Sequence, residues 1–196
     1  MTIRQIISVP DPRLKTISKP VDKVTETTRT LMDDMLETMY AANGIGLAAI
    51  QIGEAQRVIV MDLSPSEAAD DTDDTDDENG QQDRYDLSEL KGEGPRYFVN
   101  PEIIWTSDET SNYQEGCLSV PGFYDDVERP ARCKVRFMDY DGETQEIDCD
   151  GMLATCIQHE MDHLNGIVFL DHLSRLKRDR IMSKLRKLNK EKARSA

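Results

Sequence analysis

The apolar positions between residues 25 and 42 recur at intervals of three and four. They are Leu31, Met32, Met35, Leu36, Met39 and Tyr40. This spacing places the six side chains on one face of an α-helix. Asn43 and Gly44 follow, and both residue types are common where helices end. The pattern therefore predicts an amphipathic helix whose apolar face packs on the core.

Five segments have the β-branched and aromatic content, or the alternation of apolar and polar residues, that is typical of strands. They are residues 57–63, 97–100, 103–105, 132–140 and 144–149. Asp141 and Gly142 separate the last two segments and suit a hairpin turn. Short strands flanked by helices, without regular alternation of strand and helix, predict an α+β fold dominated by antiparallel pairing.

A further helical pattern follows residue 171. Its apolar positions are Leu173, Leu176, Ile181, Leu185 and Leu188. Residues 175–194 carry ten Lys or Arg against two acidic residues, which gives this segment a net charge of +8. The pattern predicts a C-terminal helix with one apolar side and basic residues on its other sides.

Residues 64–94 carry the opposite charge, with twelve Asp or Glu against two Arg or Lys, a net charge of −10. Such a segment cannot bury apolar surface, so we expect a disordered surface insertion. A calcium-binding loop is the alternative, but the Gly and Glu spacing of that motif is absent. The overall net charge of −14 therefore conceals two oppositely charged segments.

The length of 196 residues and the hydrophobic content of 38% allow one substantial core. We expect one domain over residues 1–172, interrupted by residues 64–94, and a basic helix and tail over residues 173–196. No run of 18 apolar residues exists that could span a membrane. The N-terminal residues lack the apolar length of a signal peptide, which predicts a cytoplasmic protein. The four cysteines show no framework of short spacings and are expected to be thiols.

Residues 158–163 read Gln-His-Glu-Met-Asp-His and lie within another helical pattern. His159 and His163 are four positions apart on one helix face, so both can present an imidazole nitrogen to one metal ion. Glu160 lies beside that position and is suited to take a proton from an attacking water molecule. The chain has three histidines, and two of them are in this motif. The motif predicts metal-assisted hydrolysis on a central helix.

A catalytic metal site of this kind needs a third protein ligand. Phe169 occupies the position of the third histidine of a metzincin, and the one Glu after the motif, Glu191, lies in the basic tail. Both common protease arrangements therefore fail. Cys117 follows a glycine and offers a thiol that can project from a tight turn. Cys156, three residues before His159, is the rival thiol, although a buried small hydrophobe is its ordinary interpretation.

Three segments together resemble, almost without substitution, the signature motifs of bacterial peptide deformylases. They are Gly-Ile-Gly-Leu-Ala-Ala-Ile-Gln at residues 44–51, Glu-Gly-Cys-Leu-Ser at residues 115–119, and residues 158–163. The likeness extends to the segment around Pro10 and Pro12, to Pro121 and to the basic last helix. It implies antiparallel β-sheets packed around a central metal-binding helix, with a C-terminal helix.

The resemblance implies removal of the formyl group from the N-terminal formyl-methionine of new polypeptides by means of one divalent metal ion. The family usually uses Fe²⁺, and Zn²⁺, Ni²⁺ or Co²⁺ suit the same ligands. The implied ligands are Cys117, His159 and His163.

The resemblance also assigns catalytic and binding roles. Glu160 is the implied general base, and the Gln51 side chain and the Leu118 backbone N–H are the implied oxyanion donors. The implied substrate contacts are Gly44, Ile45, Gly46, Met152, Thr155 and Cys156.

Two other functions stay open from the sequence: a zinc endopeptidase, and a non-catalytic interaction module that the metal only stabilises. The expected partners are N-formylmethionyl nascent peptides and, through the basic helix, the ribosome; a solvated helix face is the alternative.

Glu115 and Arg129 are expected to pair beside the second motif, with a solvated surface pair as the alternative. Cys133 and Cys149 are expected to pack on their strands. His172, just before the last helix, is expected to lie at the surface.

Overall fold

The structure, a computed structural model, describes residues 2–64 and 94–195. The helices are α1 (Glu26–Ala41), α2 (Gly151–Leu164) and α3 (Arg175–Ser195), with short 3-10 helices at Pro12–Lys15, Ala49–Ile52 and Phe169–His172. The strands are β1 (Gly46–Ala48), β2 (Val58–Met61), β3 (Arg96–Thr106), β4 (Thr110–Gly116), β5 (Tyr124–Pro130), β6 (Arg132–Met138) and β7 (Thr144–Asp150). The predicted acidic insertion lies outside the described residues, apart from its two end residues.

Five strands form one antiparallel sheet in the order β1-β2-β3-β6-β7. Successive residues of a strand point to opposite faces of a sheet. Val58 and Val60 of β2 accordingly pack in the hydrophobic cluster of α1, whereas Ile59 and Met61 pack in the cluster of α2. The sheet therefore lies between α1 and α2, and the predicted α+β fold with antiparallel sheets is confirmed.

α1 confirms the helix predicted from the apolar spacing of residues 25–42. Thr25 caps its N-terminus, because the Thr28 N–H donates to Thr25 Oγ1 at 3.4 Å and the Thr25 N–H donates to Thr28 Oγ1 at 3.2 Å. Asn43 follows the helix with a φ of +53°, a left-handed conformation that asparagine tolerates. The buried residues of the predicted apolar face are Leu31, Met32, Met35 and Met39.

The two strands predicted at residues 97–100 and 103–105 are one continuous strand, β3. Its pairing register with β6 shifts twice, so β3 is bulged where the sequence pattern suggested a break. Pro101, which has no N–H to donate, lies within the first irregularity. β3 therefore stays paired with β6 on both sides of Pro101, where the sequence pattern suggested a break between two strands.

A second, two-stranded sheet pairs β4 with β5, and the sequence patterns did not predict it. Few of its residues are apolar, because one strand reads Thr-Ser-Asn-Tyr-Gln-Glu-Gly and the other Tyr-Asp-Asp-Val-Glu-Arg-Pro. Val127 anchors this hairpin in a hydrophobic cluster with Leu14, Val120 and Phe169. The second sequence motif begins in β4 and ends just beyond it.

The thiols predicted from the cysteine spacing are free throughout. Cys133 and Cys149 are register partners across β6 and β7 and are almost fully buried, as expected of packing residues.

α3 packs on the rest of the chain through Ile181 and Leu185. Leu176 is 84% exposed and Leu188 is 45% exposed, so the buried side of this helix is narrower than the sequence pattern predicted. Within residues 2–64 and 94–195, no helix is long and apolar enough to cross a lipid bilayer. The division of the chain at residue 172 stays a prediction.

Candidate metal centre and active site

α2 follows β7 directly at Gly151, whose φ of +47° suits a glycine. The three motif residues on this helix are buried: His159 is 7%, Glu160 4% and His163 0% exposed. The two imidazole rings have centroids 5.0 Å apart. The spacing of four residues thus brings both rings together, as the sequence predicted.

Cys117 joins the two histidines from the end of β4. Its Sγ lies 3.2 Å from His163 Nε2. One ligand atom from each of Cys117, His159 and His163 lies within 4.8 Å of the other two, and among the described residues this is the one cluster suited to hold a metal ion. The rival Cys156 is not part of the cluster. Burial raises the pKa of the Cys156 thiol, which disfavours the thiolate that metals bind.

The three donors fit a divalent transition metal, because thiolate and imidazole are common ligands for such ions. Glu115 Oε2 lies 2.7 Å from His159 Nδ1. When Nδ1 carries the proton and donates it in a hydrogen bond to this carboxylate, the lone pair of Nε2 is free to bind a metal. Metal-binding histidines usually have such a hydrogen-bond partner on their other ring nitrogen. The Phe169 ring stacks on His159 with centroids 6.2 Å apart and limits its rotation.

The predicted pair of Glu115 and Arg129 is present and buried, so the solvated-pair interpretation is wrong. Arg129 donates from Nε and Nη2 to the two carboxylate oxygens of Glu115 at 2.5 and 3.0 Å. Its Nη1 also donates to Asp162 Oδ2 at 2.9 Å. Burial alone would raise the pKa of Glu115, but hydrogen bonds from His159 and Arg129 hold that pKa below its ordinary value. Glu115 is therefore an anion that orients His159.

Glu160 has a different environment, although it is one residue from His159. Its burial raises the pKa to about 7, with the His159 charge lowering it and the Glu115 charge raising it. Its Oε2 has no hydrogen-bond partner among the described residues. A buried carboxylate oxygen without a partner is rare and is often associated with catalysis. Glu160 is thus placed to exchange a proton near neutral pH.

Gly46 of β1 lies against Glu160. A Cβ atom at this position would lie 2.6 Å from Glu160 Oε1 and 3.0 Å from Cys156 Sγ, so the close approach requires a glycine. At Gly44 a Cβ atom would lie 2.7 Å from Leu118 Cδ1, the end of a flexible side chain. The backbone therefore approaches a neighbouring side chain closely at both glycines, and the approach is most restrictive at Gly46.

The side-chain amide of Gln51 is held at both ends. Its Oε1 accepts from the Ala48 N–H at 2.8 Å, and its Nε2 donates to Ser119 Oγ at 3.2 Å. The same Nε2 lies 3.5 Å from Cys117 Sγ. The amide NH₂ group is therefore fixed beside the candidate metal ligands. The role of Ser119 was not inferred from the sequence, although its place in the second motif was the available signal.

A cavity of about 520 Å³ adjoins these groups. The predicted substrate contacts all line it: Gly44, Ile45, Gly46, Met152, Thr155 and Cys156. Gln51, Cys117, Leu118, His159 and Glu160 line it too, whereas the fully buried His163 is not among the lining residues. Thr155 Oγ1 donates to the Gly151 carbonyl at 3.1 Å, which satisfies the hydroxyl of this polar lining residue. Phe123 and Tyr124 also line the cavity and were not predicted.

Comparisons with known proteins agree with this geometry. The family model described as polypeptide deformylase matches residues 3–179. The chain is 56% identical over 187 residues to a peptide deformylase of Phenylobacterium zucineum, covering 95% of this chain and 97% of the relative. It is 52% identical over 196 residues to a peptide deformylase of Maricaulis maris, covering 100% of this chain and 99% of the relative.

Solved structures give the same result. A crystal structure of peptide deformylase from Ehrlichia chaffeensis is similar with a TM-score of 0.80 and 42% identity, and the match covers 96% of this chain and 97% of that one. The structure of that deformylase in complex with actinonin matches with a TM-score of 0.80 and 43% identity, covering 95% and 98% of the two chains. The family expected from the three motifs is confirmed: the chain belongs to the polypeptide deformylase family, whose function is the metal-dependent removal of the formyl group from the N-terminal formyl-methionine of newly synthesised proteins.

Proposed function

We propose that this chain deformylates N-formylmethionyl peptides with one divalent metal ion held by Cys117, His159 and His163. One observation carries the assignment: the three donor atoms lie within 4.8 Å of one another, next to the buried carboxylate of Glu160. The proposed ion is Fe²⁺, by the family resemblance, and Zn²⁺, Ni²⁺ and Co²⁺ suit the same donors. When bound, the metal supplies a Lewis acid that activates a water molecule and polarises the formyl oxygen.

Glu160 is the proposed general base and acid. It accepts a proton from the water molecule whose oxygen attacks the formyl carbon. It then gives this proton to the methionine nitrogen as the C–N bond breaks, so that formate and a free amine leave. A pKa of about 7 supports both directions of transfer near neutral pH.

Gln51 and Leu118 are the proposed donors to the oxygen that becomes negative when the formyl carbon is attacked. An amide NH₂ has two N–H donors. One of those of Gln51 donates to Ser119 Oγ, while the other, within the part of the chain that the structure describes, has only the weak acceptor Cys117 Sγ near it, and we assign this N–H to the developing oxyanion. We assign the second donor to the Leu118 backbone N–H. Loss of one such donor, as in Gln51→Ala, is expected to lower kcat about a hundredfold.

The proposed binding site for the formyl group and the methionine side chain is the cavity described above. Gly44, Ile45 and Gly46 form one wall, and the Gly46 backbone lies against Glu160, where a Cβ atom would be only 2.6 Å from Glu160 Oε1. Met152, Thr155 and Cys156 of α2 are the proposed contacts of the methionine side chain. A formyl carbon carries only hydrogen beside its oxygen and nitrogen, so a narrow site admits it and excludes larger acyl groups.

The ligand set is tested by comparing two cysteine variants. Metal content is measured for the wild type, Cys117→Ala and Cys156→Ala, each purified without oxygen. Cys117→Ala is expected to lose the metal, whereas Cys156→Ala retains it because that thiol lies outside the donor cluster. The opposite pattern would overturn the assignment.

The reaction is tested with formyl-Met-Ala-Ser as substrate. Glu160→Ala is expected to keep one metal ion per chain and to lose turnover by a factor of about 10² to 10⁴. Unchanged turnover would remove Glu160 from the mechanism. The wild-type protein, incubated with a peptide that carries no formyl group, distinguishes deformylation from the cleavage of internal peptide bonds expected of a zinc endopeptidase. A metal-stabilised interaction module would hold the metal and turn over neither substrate.

We infer that α3 binds ribosomal RNA, which would bring the enzyme close to nascent chains as they leave the ribosome. The exposed basic residues of α3 support this inference, and the proposed location is the cytoplasm, where chains are synthesised. A triple variant, Arg180→Glu, Lys184→Glu and Lys187→Glu, is expected to bind ribosomes more weakly, whereas Lys23→Glu, which is outside α3, is not. Wild-type binding should weaken steeply with salt. Equal ribosome binding by the triple variant and the wild type would rule out this contact.

A further inference from the structure

His172, the third histidine of the chain, is connected to the metal-binding helix. It was expected at the surface, and its side chain is 35% exposed. Its Nε2 nevertheless lies 2.7 Å from Asp162 Oδ2, and Asp162 directly precedes His163, the second histidine of the motif. The same oxygen accepts from Arg129 Nη1 at 2.9 Å. Asp162 is therefore held by two donors, and both come from outside the three sequence motifs.

The hydrogen bonds continue inward from Asp162 without a gap. Arg129 donates to both oxygens of Glu115, at 2.5 and 3.0 Å, and Glu115 Oε2 lies 2.7 Å from His159 Nδ1. Exposure falls along this series, from 35% at His172 and 18% at Asp162 to 6% at Arg129 and 3% at Glu115. A partly exposed imidazole is thus linked through three hydrogen-bonded side chains to a candidate metal ligand.

The 3-10 helix Phe169–His172 contacts α2 at both of its ends. At its start, the Phe169 ring stacks on the His159 ring. At its end, His172 bonds Asp162. Between them, Asp171 Oδ2 accepts from the Val168 N–H at 3.0 Å and fixes the turn. Because Phe169 is almost fully buried, it anchors the turn in the core. The turn therefore holds the His172 side chain in a fixed position beside Asp162.

The rigid geometry of the Arg129 guanidinium explains why the hydrogen bond from His172 to Asp162 affects the position of Glu115. A guanidinium has its donors in a fixed plane, so a shift of one nitrogen turns the whole group. Without His172, Asp162 would retain one partner and could rotate towards water, because its side chain is not fully buried. Arg129 would then follow Asp162 or lose it, and in either case its two bonds to Glu115 would be less well aligned.

We propose that His172 is a positioning residue of the metal centre: by donating from Nε2 to Asp162, it fixes Arg129, and through Arg129 it fixes Glu115 and the orientation of His159. The proposal rests on the ligand role assigned above to His159. It goes beyond that role because it extends the machinery to a residue that none of the three motifs contains.

The test compares two substitutions that separate the ring from the donor. His172→Phe keeps an aromatic ring and removes the donor, whereas His172→Gln keeps an N–H donor of similar reach. Tyr140→Phe is the matched control, because it removes a hydroxyl that bonds the Asp33 carboxylate at 3.2 and 3.3 Å beside α1. Each protein is loaded with Zn²⁺, and the rate of metal loss to excess chelator is measured together with thermal unfolding.

His172→Phe is expected to lose Zn²⁺ about tenfold faster than the wild type, since outer partners of metal ligands affect binding on this scale. His172→Gln is expected to restore most of the wild-type rate, and Tyr140→Phe is expected to lose metal at the wild-type rate. After reloading with saturating metal, His172→Phe should retain the wild-type KM, because its substrate-binding cavity is unchanged.

Two results would overturn the proposal. One is an unchanged rate of metal loss in His172→Phe. The other is an equal acceleration in His172→Phe and His172→Gln, which would assign the effect to ring packing instead of the hydrogen bond. Failure of the proposed ligand set would be recognised separately, because Cys117→Ala would then bind metal as tightly as the wild type.

Discussion

The two sides of the metal centre differ in how they are built. The α2 side supplies His159, Glu160 and His163 within one turn of a helix, so its geometry follows from helical periodicity alone. The hairpin side, defined here as β4, β5 and the residues up to Ser119, supplies Glu115 and Cys117. Its geometry exists only after two polar strands have paired and packed on the rest of the chain.

The two sides also divide the chemistry. The α2 side provides two imidazoles and the carboxylate of Glu160, whose pKa burial raises to about 7. The hairpin side provides Cys117, the proposed thiolate ligand, and Glu115, a carboxylate whose pKa is held below its ordinary value. Changes on the α2 side should therefore impair proton transfer with the metal in place, and changes on the hairpin side should impair metal retention or oxyanion binding.

Among substitutions outside the proposed ligands and general base, the largest effect is expected from Gly46→Ala in β1, which acts on Glu160 of the α2 side. The new Cβ atom would lie 2.6 Å from Glu160 Oε1, so the carboxylate must move. A displacement of about 1 Å at a reacting group costs on the order of a hundredfold in rate, and we expect kcat to fall about a hundredfold. Metal content should stay at the wild-type level. The measurement is steady-state turnover of formyl-Met-Ala-Ser together with metal analysis.

Gly44→Ala is the matched control for this substitution. Its Cβ atom would meet Leu118 Cδ1 at 2.7 Å, but a leucine side chain can rotate away, whereas Glu160 is enclosed. The loss in Gly44→Ala should be clearly smaller. Equal losses in the two variants would mean that crowding of the cavity, and not displacement of Glu160, limits the reaction.

The hairpin side is tested by Glu115→Gln. The neutral amide can still accept a hydrogen bond from His159, but it no longer offers a charge to Arg129 or to the imidazole. Metal affinity is expected to fall by about 10- to 100-fold, which is the usual effect of an outer partner of a metal ligand. Competition with a chelator of known affinity measures this change, and kcat at saturating metal should fall less than in Gly46→Ala.

Glu146→Gln provides the control for charge loss, because Glu146 pairs with Arg136 at 2.9 Å on the surface, with about half of each side chain exposed. Its metal affinity should match the wild type. If Glu115→Gln and Glu146→Gln bound metal equally well, the buried carboxylate would have no role in holding His159.

The comparison also explains what the sequence could and could not predict. α1 and α2 were predicted because their apolar and ligand positions repeat with the helical period. The β4–β5 hairpin was not, because its strands are polar and their pairing depends on contacts distant in sequence. His172 was expected to lie free at the surface, since no local pattern indicates a bond to a residue ten positions earlier. Cys117 was assigned only through the family resemblance.

The smallest expected effect concerns Ser119, the hairpin residue that bonds the Gln51 amide. In Ser119→Ala, Gln51 keeps its bond from the Ala48 N–H but loses the acceptor at 3.2 Å that fixes its NH₂ group. One hydrogen bond of this kind contributes about 1 kcal/mol, so kcat/KM should fall about fivefold with the metal retained. Ser18→Ala is the matched control, because Ser18 is equally buried and its Oγ has no hydrogen-bond partner among the described residues. If both alanine variants retained the wild-type kcat/KM, the bond from Gln51 to Ser119 would have no part in positioning the oxyanion donor.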